Sequence, residues 1–189
     1  MRPDDWNCTA PSNCTAHFGG IPQLANLTAH LEQLQTDIEA ILPDSDWAGV
    51  ASIDWEAWKP EWEQNAYNEY WIYINRSVAL VQQQHPDWTL EQQVAQAKSD
   101  FNNAAQTFWN ESILLARKIR PGGKWGWYNF PGEANPQLDD GMLWLFENVN
   151  ALFPSIYLES ADAATNVKRV DTQLIETRRI RDKVSAAMG

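Results

Sequence analysis

Cysteine is scarce in this chain: 189 residues hold only two, Cys8 and Cys14. Stability therefore rests on packing, and the two thiols either pair with each other locally or with cysteines outside the chain. Basic residues are also few, 14 Lys and Arg against 25 Asp and Glu, for a formal charge of −11. No Lys/Arg cluster interrupts that balance, which excludes nucleic acid as a partner, because phosphate binding needs such clusters. No apolar run reaches the length of a membrane span, so no transmembrane segment is expected. Internal repeats and low-complexity linkers are absent too, and residues 1–189 read as a single domain. The opening MRPDDWNC lacks the apolar stretch of a signal peptide. Either a signal has been removed or the chain begins within a longer protein.

What is present is ordinary globular material, 44% hydrophobic and 21% charged, except for eleven tryptophans. Aromatic faces are platforms for sugar rings as well as core filling, and most of these are expected to be core. Five N-x-Ser/Thr sequons, at Asn7, Asn13, Asn26, Asn75 and Asn110, favour a glycosylated protein of the secretory route.

The stretch SIDWEAWKP, Ser52 to Pro60, carries the chemistry. The apolar run Gly49 to Ile53 reads as a strand, so Asp54 and Glu56 emerge on one side with Cα atoms roughly 6.5 Å apart. Two carboxylates in one small volume do not ionise together comfortably, and one holds its proton to higher pH, as an acid catalyst does. The plainer alternative makes Asp54 the N-cap of a helix that carries Pro60 near its start.

Along the chain, helices and strands alternate. Leu24, Leu27, Leu31, Leu34, Ile38 and Ile41 define one face of a helix, and the strand ending at Ile53 follows. A long helix is expected from about Ala57 to Gln84, burying Trp58, Trp62, Trp71, Ile74, Val78 and Val81. Thr89 and Gln92 form a capping box that opens a helix with Leu90, Val94, Ala97, Phe101, Ala104 and Phe108 inward, stopped by Pro121-Gly-Gly123. Two more strands are expected, at 124–131 and 152–158, with a short helix through Trp144 and Leu145 between them. An amphipathic helix around Val167, Val170, Leu174 and Val184 closes the chain. Such alternation argues for an α/β fold with a parallel sheet, open or closed into a barrel. In either case active sites gather at the carboxyl ends of the strands. Asp54, Glu56, Tyr128 and Tyr157 all lie there.

These segments resemble the animal hyaluronidases. FGGIPQLANLTAHL at 18–31, SIDWEAWKPEW at 52–62, NRSVALVQQQHPDW at 75–88, KIRPGGKWGWYNFP at 118–131 and ALFPSIYL at 151–158 occur in family order and span nearly the whole chain. The resemblance implies a TIM-like (β/α) barrel of hyaluronidase type, here partial and lacking the first and last strands. It implies an endo-glycosidase acting on hyaluronan, and on chondroitin as a further substrate, without metal or organic cofactor, in a secreted or lysosomal setting. Position by position, Glu56 matches the proton donor and Asp54 its partner carboxylate. Tyr157 matches the tyrosine at the acetamido group, and Tyr128 a second groove tyrosine. Trp58, Trp125 and Trp127 are read as core.

The spacing of the carboxylates agrees with this chemistry. Two carboxyls at i and i+2 of one strand approach from the same side, so Asp54 is badly placed as a covalent nucleophile if Glu56 is the acid. An N-acetylated sugar supplies its own nucleophile, the amide oxygen. Departures from the family pattern are Glu133, where a disulfide cysteine is usual, and Lys59, where arginine is usual and a bidentate fork is lost. The rival readings are a non-catalytic glycan-binding or cell-recognition protein on the same scaffold, and a chitinase-like hydrolase, whose longer Asp-rich strand motif is missing.

Overall fold

A computed structural model describes residues 6–8, 14–66, 70–132 and 135–188. By contact they divide into two units, one drawn from Met1–Pro43 and Trp55–Leu115, the other from Asp44–Asp54 and Ala116–Gly189. The expected departure at Glu133 and the sequon residue Asn13 lie outside the described residues.

In the first unit, β1 (Trp6–Cys8) pairs antiparallel with β2 (Cys14–Ala16), and the register sets Cys8 opposite Cys14. The chain then turns through Gly19 at φ +98°, where a Cβ would lie 2.2 Å from the Leu24 carbonyl oxygen. Only glycine combines that backbone with that approach. Helix α1 (Leu27–Ile41) starts where the Asn26 side chain accepts from the Ala29 N–H (3.1 Å). Its predicted face is only partly inward: Ile38 is buried, whereas Ile41 and Leu24 are exposed.

The helix expected from Ala57 does not form there. Residues 62–65 make a short 3-10 turn, and α2 spans Trp71–Gln84. Two causes are visible. Pro60 disfavours helical backbone at Lys59. The fully buried Asn65 side chain then takes the backbone groups a helix would use: it accepts from the Lys59 N–H (2.9 Å) and donates to the carbonyls of Lys59 (3.1 Å) and Glu61 (2.8 Å). No helix begins at Asp54, so its N-cap role is set aside. In α2 the buried face is Tyr73, Ile74, Ser77 and Val81, and Trp71, expected inside, is exposed.

Helix α3 (Leu90–Ile119) opens on the predicted capping box, with Thr89 N–H to Gln92 Oε1 at 3.0 Å and Gln92 N–H to Thr89 Oγ1 at 3.3 Å. Its inward stripe begins later than expected. Leu90 and Val94 are exposed, while Ala97, Phe101, Ala105, Phe108 and Ile113 are buried. Phe101 and Phe108 meet the edge of Trp58, whose ring lies 5.2 Å from that of Trp55. Edge-to-face packing of this kind adds to the burial of large aromatic area.

In the second unit, β3 (Val50–Ile53) pairs in parallel with β4 (Lys124–Trp127), Ala51 opposite Trp125. Trp125 and Trp127 are buried, as is Trp58 in the first unit, in agreement with their core reading. The third strand expected at 152–158 is not one. Phe153 alone bridges Tyr128 and Phe130, and the next residue, Pro154, has no N–H to continue a ladder. Gly126 admits this segment closely: a Cβ there would meet the Ala151 carbonyl oxygen at 2.2 Å. Helices α4 (Pro136–Gly141), α5 (Leu143–Glu147) and α6 (Ala163–Met188) complete the unit. The buried face of α6 is Gln173, Glu176, Ile180 and Val184, whereas Val167 and Leu174 are exposed. The sequence expectation held for Val184 and failed for those two. Among the described residues the architecture is rich in helix, with two small sheets.

Candidate active site

Parallel pairing brings the carboxyl ends of β3 and β4 to one edge, and the residues that follow those ends are Asp54 and Tyr128. The Tyr128 N–H donates to the Ile53 carbonyl (2.9 Å), one ladder step beyond the sheet. The bridge from Tyr128 to Phe153 leads the 152–158 segment past the same edge. There the phenolic oxygens of Tyr128 and Tyr157 lie 2.5 Å apart, a hydrogen bond in which either can donate. Tyr157 is 57% exposed and its main chain is anchored from α6, because Arg169 donates to its carbonyl and also pairs with Glu159 (2.8 Å). Asp54 is exposed at the end of β3. The unit thus presents a carboxylate and two coupled hydroxyls at one sheet edge. Such a set can hold a neutral polar group by donating and accepting hydrogen bonds.

Glu56 belongs to the first unit and is likewise exposed. Its carbonyl accepts from the Tyr70 hydroxyl (3.2 Å), and the Lys59 ammonium lies 5.2 Å from the centre of the Tyr70 ring. Exposure alternates residue by residue from Val50 through Glu56, with Ala51, Ile53 and Trp55 the more buried members. Two-residue periodicity therefore continues past the last ladder residue of β3. The Trp55 ring packs into the first unit against His30 and Phe108.

Sequence reasoning overlooked His30, Asn65 and Arg169. His30 stacks on Phe108 with ring centres 4.0 Å apart, and its Nε2 is 2.8 Å from Ser112 Oγ. Burial lowers its pKa to about 4. A lone histidine among helix leucines gives no apolar-period signal, and Asn65 and Arg169 act on backbone groups that no pattern of side chains announces. Of the described sequon residues, Asn26 is exposed at the N-cap of α1, Asn75 is exposed on α2, and Asn110 is half-buried on α3. The sequon serine of Asn110, Ser112, is buried. Asn7 lies in β1. Among the described residues there is no group of three or more His, Cys, Asp or Glu able to hold a metal ion, and no helix long and apolar enough to cross a membrane.

Comparison with known proteins adds to this geometry. The family model described as hyaluronidase matches residues 9–188. Hyaluronidase-1 of Sus scrofa is 41% identical over 190 residues, covering 91% of this chain and 42% of the relative. The chondroitin hydrolase of Caenorhabditis elegans is 36% identical over 180 residues, covering 86% of this chain and 39% of the relative. The chain thus spans about two-fifths of the length of these curated relatives. The crystal structure of bee venom hyaluronidase in complex with a hyaluronic acid tetramer superposes with a TM-score of 0.86 at 32% identity, covering 93% of this chain and 59% of that one. Fold, motif order and family model agree, and the chain belongs to the hyaluronidase family.

Proposed function

We propose that this chain carries the catalytic apparatus of an endo-glycosidase that cleaves β-1,4 N-acetylhexosaminide bonds of hyaluronan, with chondroitin as a second substrate. Its setting is a single catalytic domain built as a partial (β/α) barrel. The observation that carries the reading is the Tyr128–Tyr157 hydroxyl pair at the carboxyl edge where β3 delivers Asp54, two residues before Glu56. Support also comes from the relatives, one named for chondroitin and one solved with a hyaluronan tetramer. The sequons and the family favour a secreted or lysosomal location.

In the proposed reaction, protonated Glu56 donates to the glycosidic oxygen as the bond to the anomeric carbon breaks. The acetamido oxygen of the same sugar attacks that carbon from the opposite face, giving a cyclic oxazolinium. Asp54 orients the amide and offsets the positive charge that grows on its nitrogen, and Tyr157 holds the acetamido group, with Tyr128 fixing the Tyr157 hydroxyl. Water, deprotonated by Glu56, then opens the ring at the anomeric carbon, restoring the acid and retaining configuration. Two inversions at one carbon require that outcome.

Glu56→Gln tests the assignment, because it keeps shape and hydrogen bonding and removes the proton. Turnover of hyaluronan should fall by at least about 100-fold while binding of hyaluronan oligosaccharides persists. Near-normal turnover by this variant would remove Glu56 from the acid role.

A further inference from the structure

Main-chain hydrogen bonds hold β3 to β4 as far as the Ile53 carbonyl, which accepts from the Tyr128 N–H (2.9 Å). Over residues 54–58, which form neither strand nor helix, the main chain keeps one hydrogen bond among the described residues: the Glu56 carbonyl accepts from the Tyr70 hydroxyl at 3.2 Å. The proposed acid therefore hangs from a stretch that no ladder or helical turn supports. A carboxyl that must deliver a proton to one oxygen needs its Cα held to a fraction of an ångström.

Tyr70 breaks a local rule to make that bond. It occupies the N-cap of α2, where Ser, Thr, Asp or Asn would accept from the first free N–H groups, and its side chain caps nothing. Its hydroxyl reaches back 14 positions to Glu56 instead. The Lys59 ammonium lies 5.2 Å from the centre of its ring, a cation–π contact. Lys59 is in turn pinned by the buried Asn65 side chain, which accepts from its N–H (2.9 Å) and donates to its carbonyl (3.1 Å). Asn65 thus supports Lys59, Lys59 the Tyr70 ring, and the Tyr70 hydroxyl the peptide group that follows Glu56, all within the first unit. Positions where a local preference is given up without local gain are where functional demands are expected.

We infer that Tyr70 is a positioning residue for the acid: its hydroxyl fixes the peptide plane between Glu56 and Ala57, and with it the Cα that carries the Glu56 carboxyl, without touching substrate. This role rests on the reading of Glu56 as proton donor. Because water reaches the bond, its net worth is that of one ordinary hydrogen bond and no more.

The test is Tyr70→Phe, which removes one oxygen and keeps the ring beside Lys59. On the full chain, kcat for hyaluronan should fall roughly three- to tenfold while KM and the urea midpoint hold still. A raised KM at constant kcat would make Tyr70 a substrate contact, and a lowered urea midpoint at constant kcat would make it structural; either result overturns the inference. In a Glu56→Gln background Tyr70→Phe should cost nothing further, because no positioned proton is left to misplace. If Glu56→Gln abolishes turnover and Tyr70→Phe leaves it unchanged, the acid stands and the positioning role alone falls. If Glu56→Gln is itself near normal, the reading of Glu56 falls and the positioning role with it. The tie is also read without turnover. By ¹⁵N relaxation the order parameters of the Glu56 and Ala57 amides should drop in Tyr70→Phe from the rigid value of about 0.85 towards about 0.6. Equal order parameters in parent and variant overturn the inference whatever the kinetics.

Discussion

Replacing Asp139 with asparagine should stabilise this protein at neutral pH and leave it nearly unchanged near pH 4. Asp139 lies on α4 with only 1% of its surface exposed, and Glu176 on α6 is buried beside it. Arg179 holds Glu176 through its Nε (2.7 Å) and a second guanidinium nitrogen. The same arginine and Lys183 both contact Asp140 at 2.6 Å. The two cations are therefore engaged by Glu176 and Asp140. Burial, then hydrogen bonding and repulsion from Glu176, push the Asp139 pKa up from 3.8 to about 7, while the Arg179 hydrogen bonds hold Glu176 below its usual range. The shared proton thus resides on Asp139.

The sign follows from linkage. Between 3.8 and about 7 the native state keeps a proton that the unfolded chain has released, so stability falls as pH rises through that window. At 1.36 kcal/mol per unit the full span corresponds to about 4 kcal/mol, an upper bound because neighbours relax around the ionised pair. Asparagine is isosteric, never ionises and can donate to Glu176 as the protonated acid does. Urea denaturation at pH 4, 5, 6 and 8 should show Asp139→Asn nearly level with the parent at pH 4, ahead of it by about 1 to 1.5 kcal/mol at pH 5 and more stable by about 2 to 4 kcal/mol at pH 8. That gain corresponds to roughly 5 to 15 °C in Tm for a chain of this size. Glu176 acts in the opposite sense, its stabilising share being lost as pH falls below its ordinary range, so the parent should be most stable in mildly acidic solution. Curves for parent and variant that run parallel across the four pH values would refute the buried shared proton.

The remaining predictions concern the site and its support. Asp54→Asn should slow hyaluronan cleavage without trapping a covalent adduct, and a thiazoline mimic of the cyclised intermediate should inhibit, because species resembling the transition state bind more tightly than substrate. Mass spectrometry showing a glycosyl ester on Asp54 would reverse the roles. Tyr157→Phe should lower kcat/KM by about tenfold or more through loss of one hydrogen bond to the acetamido group, with thermal stability unchanged, since the hydroxyl is exposed. Asn65→Ala should cost about 3 kcal/mol or more in urea denaturation, because it strands one N–H and two carbonyls that the side chain satisfies. A loss below about 1 kcal/mol would show that water replaces it there.

Local signals in the sequence were the ones that survived folding. The Thr89–Gln92 capping box needs only residues three apart, and it formed as read. Strands β3 and β4 also announced themselves, being apolar runs bounded by glycine and by polar turns. The helix expected from Ala57 was lost to Asn65, a side chain whose hydrogen bonds compete with helix only once it is buried. The outward turn of Val167 and Leu174 has a similar cause. Helix α6 docks through Gln173, which donates to the Pro131 carbonyl (3.2 Å), and through the Glu176–Arg179 network, so polar residues occupy the face that periodicity assigns to valine and leucine. At the site, two carboxylates spaced i, i+2 were visible from first principles. The tyrosines were placed by position at the ends of expected strands, but their roles came only through resemblance, because nothing in the pattern of WGWYNF or PSIYL brings two phenols 29 positions apart within hydrogen-bonding distance.

The Trp55–Trp58 pair has an optical consequence. Two indoles with centres 5.2 Å apart and planes inclined at 66° have strong transition dipoles that couple, and oblique coupling splits an absorption band into components of opposite rotational strength. Circular dichroism in the aromatic region of the far ultraviolet should therefore carry a signed couplet from this pair, beside the signal of the helices. Trp47 and Trp125 form a comparable pair in the second unit (5.8 Å, 59°), so the part of the couplet lost in Trp55→Phe is what reports the first unit, and its melting curve can be laid against the helical signal to ask whether the chain unfolds in one step or two.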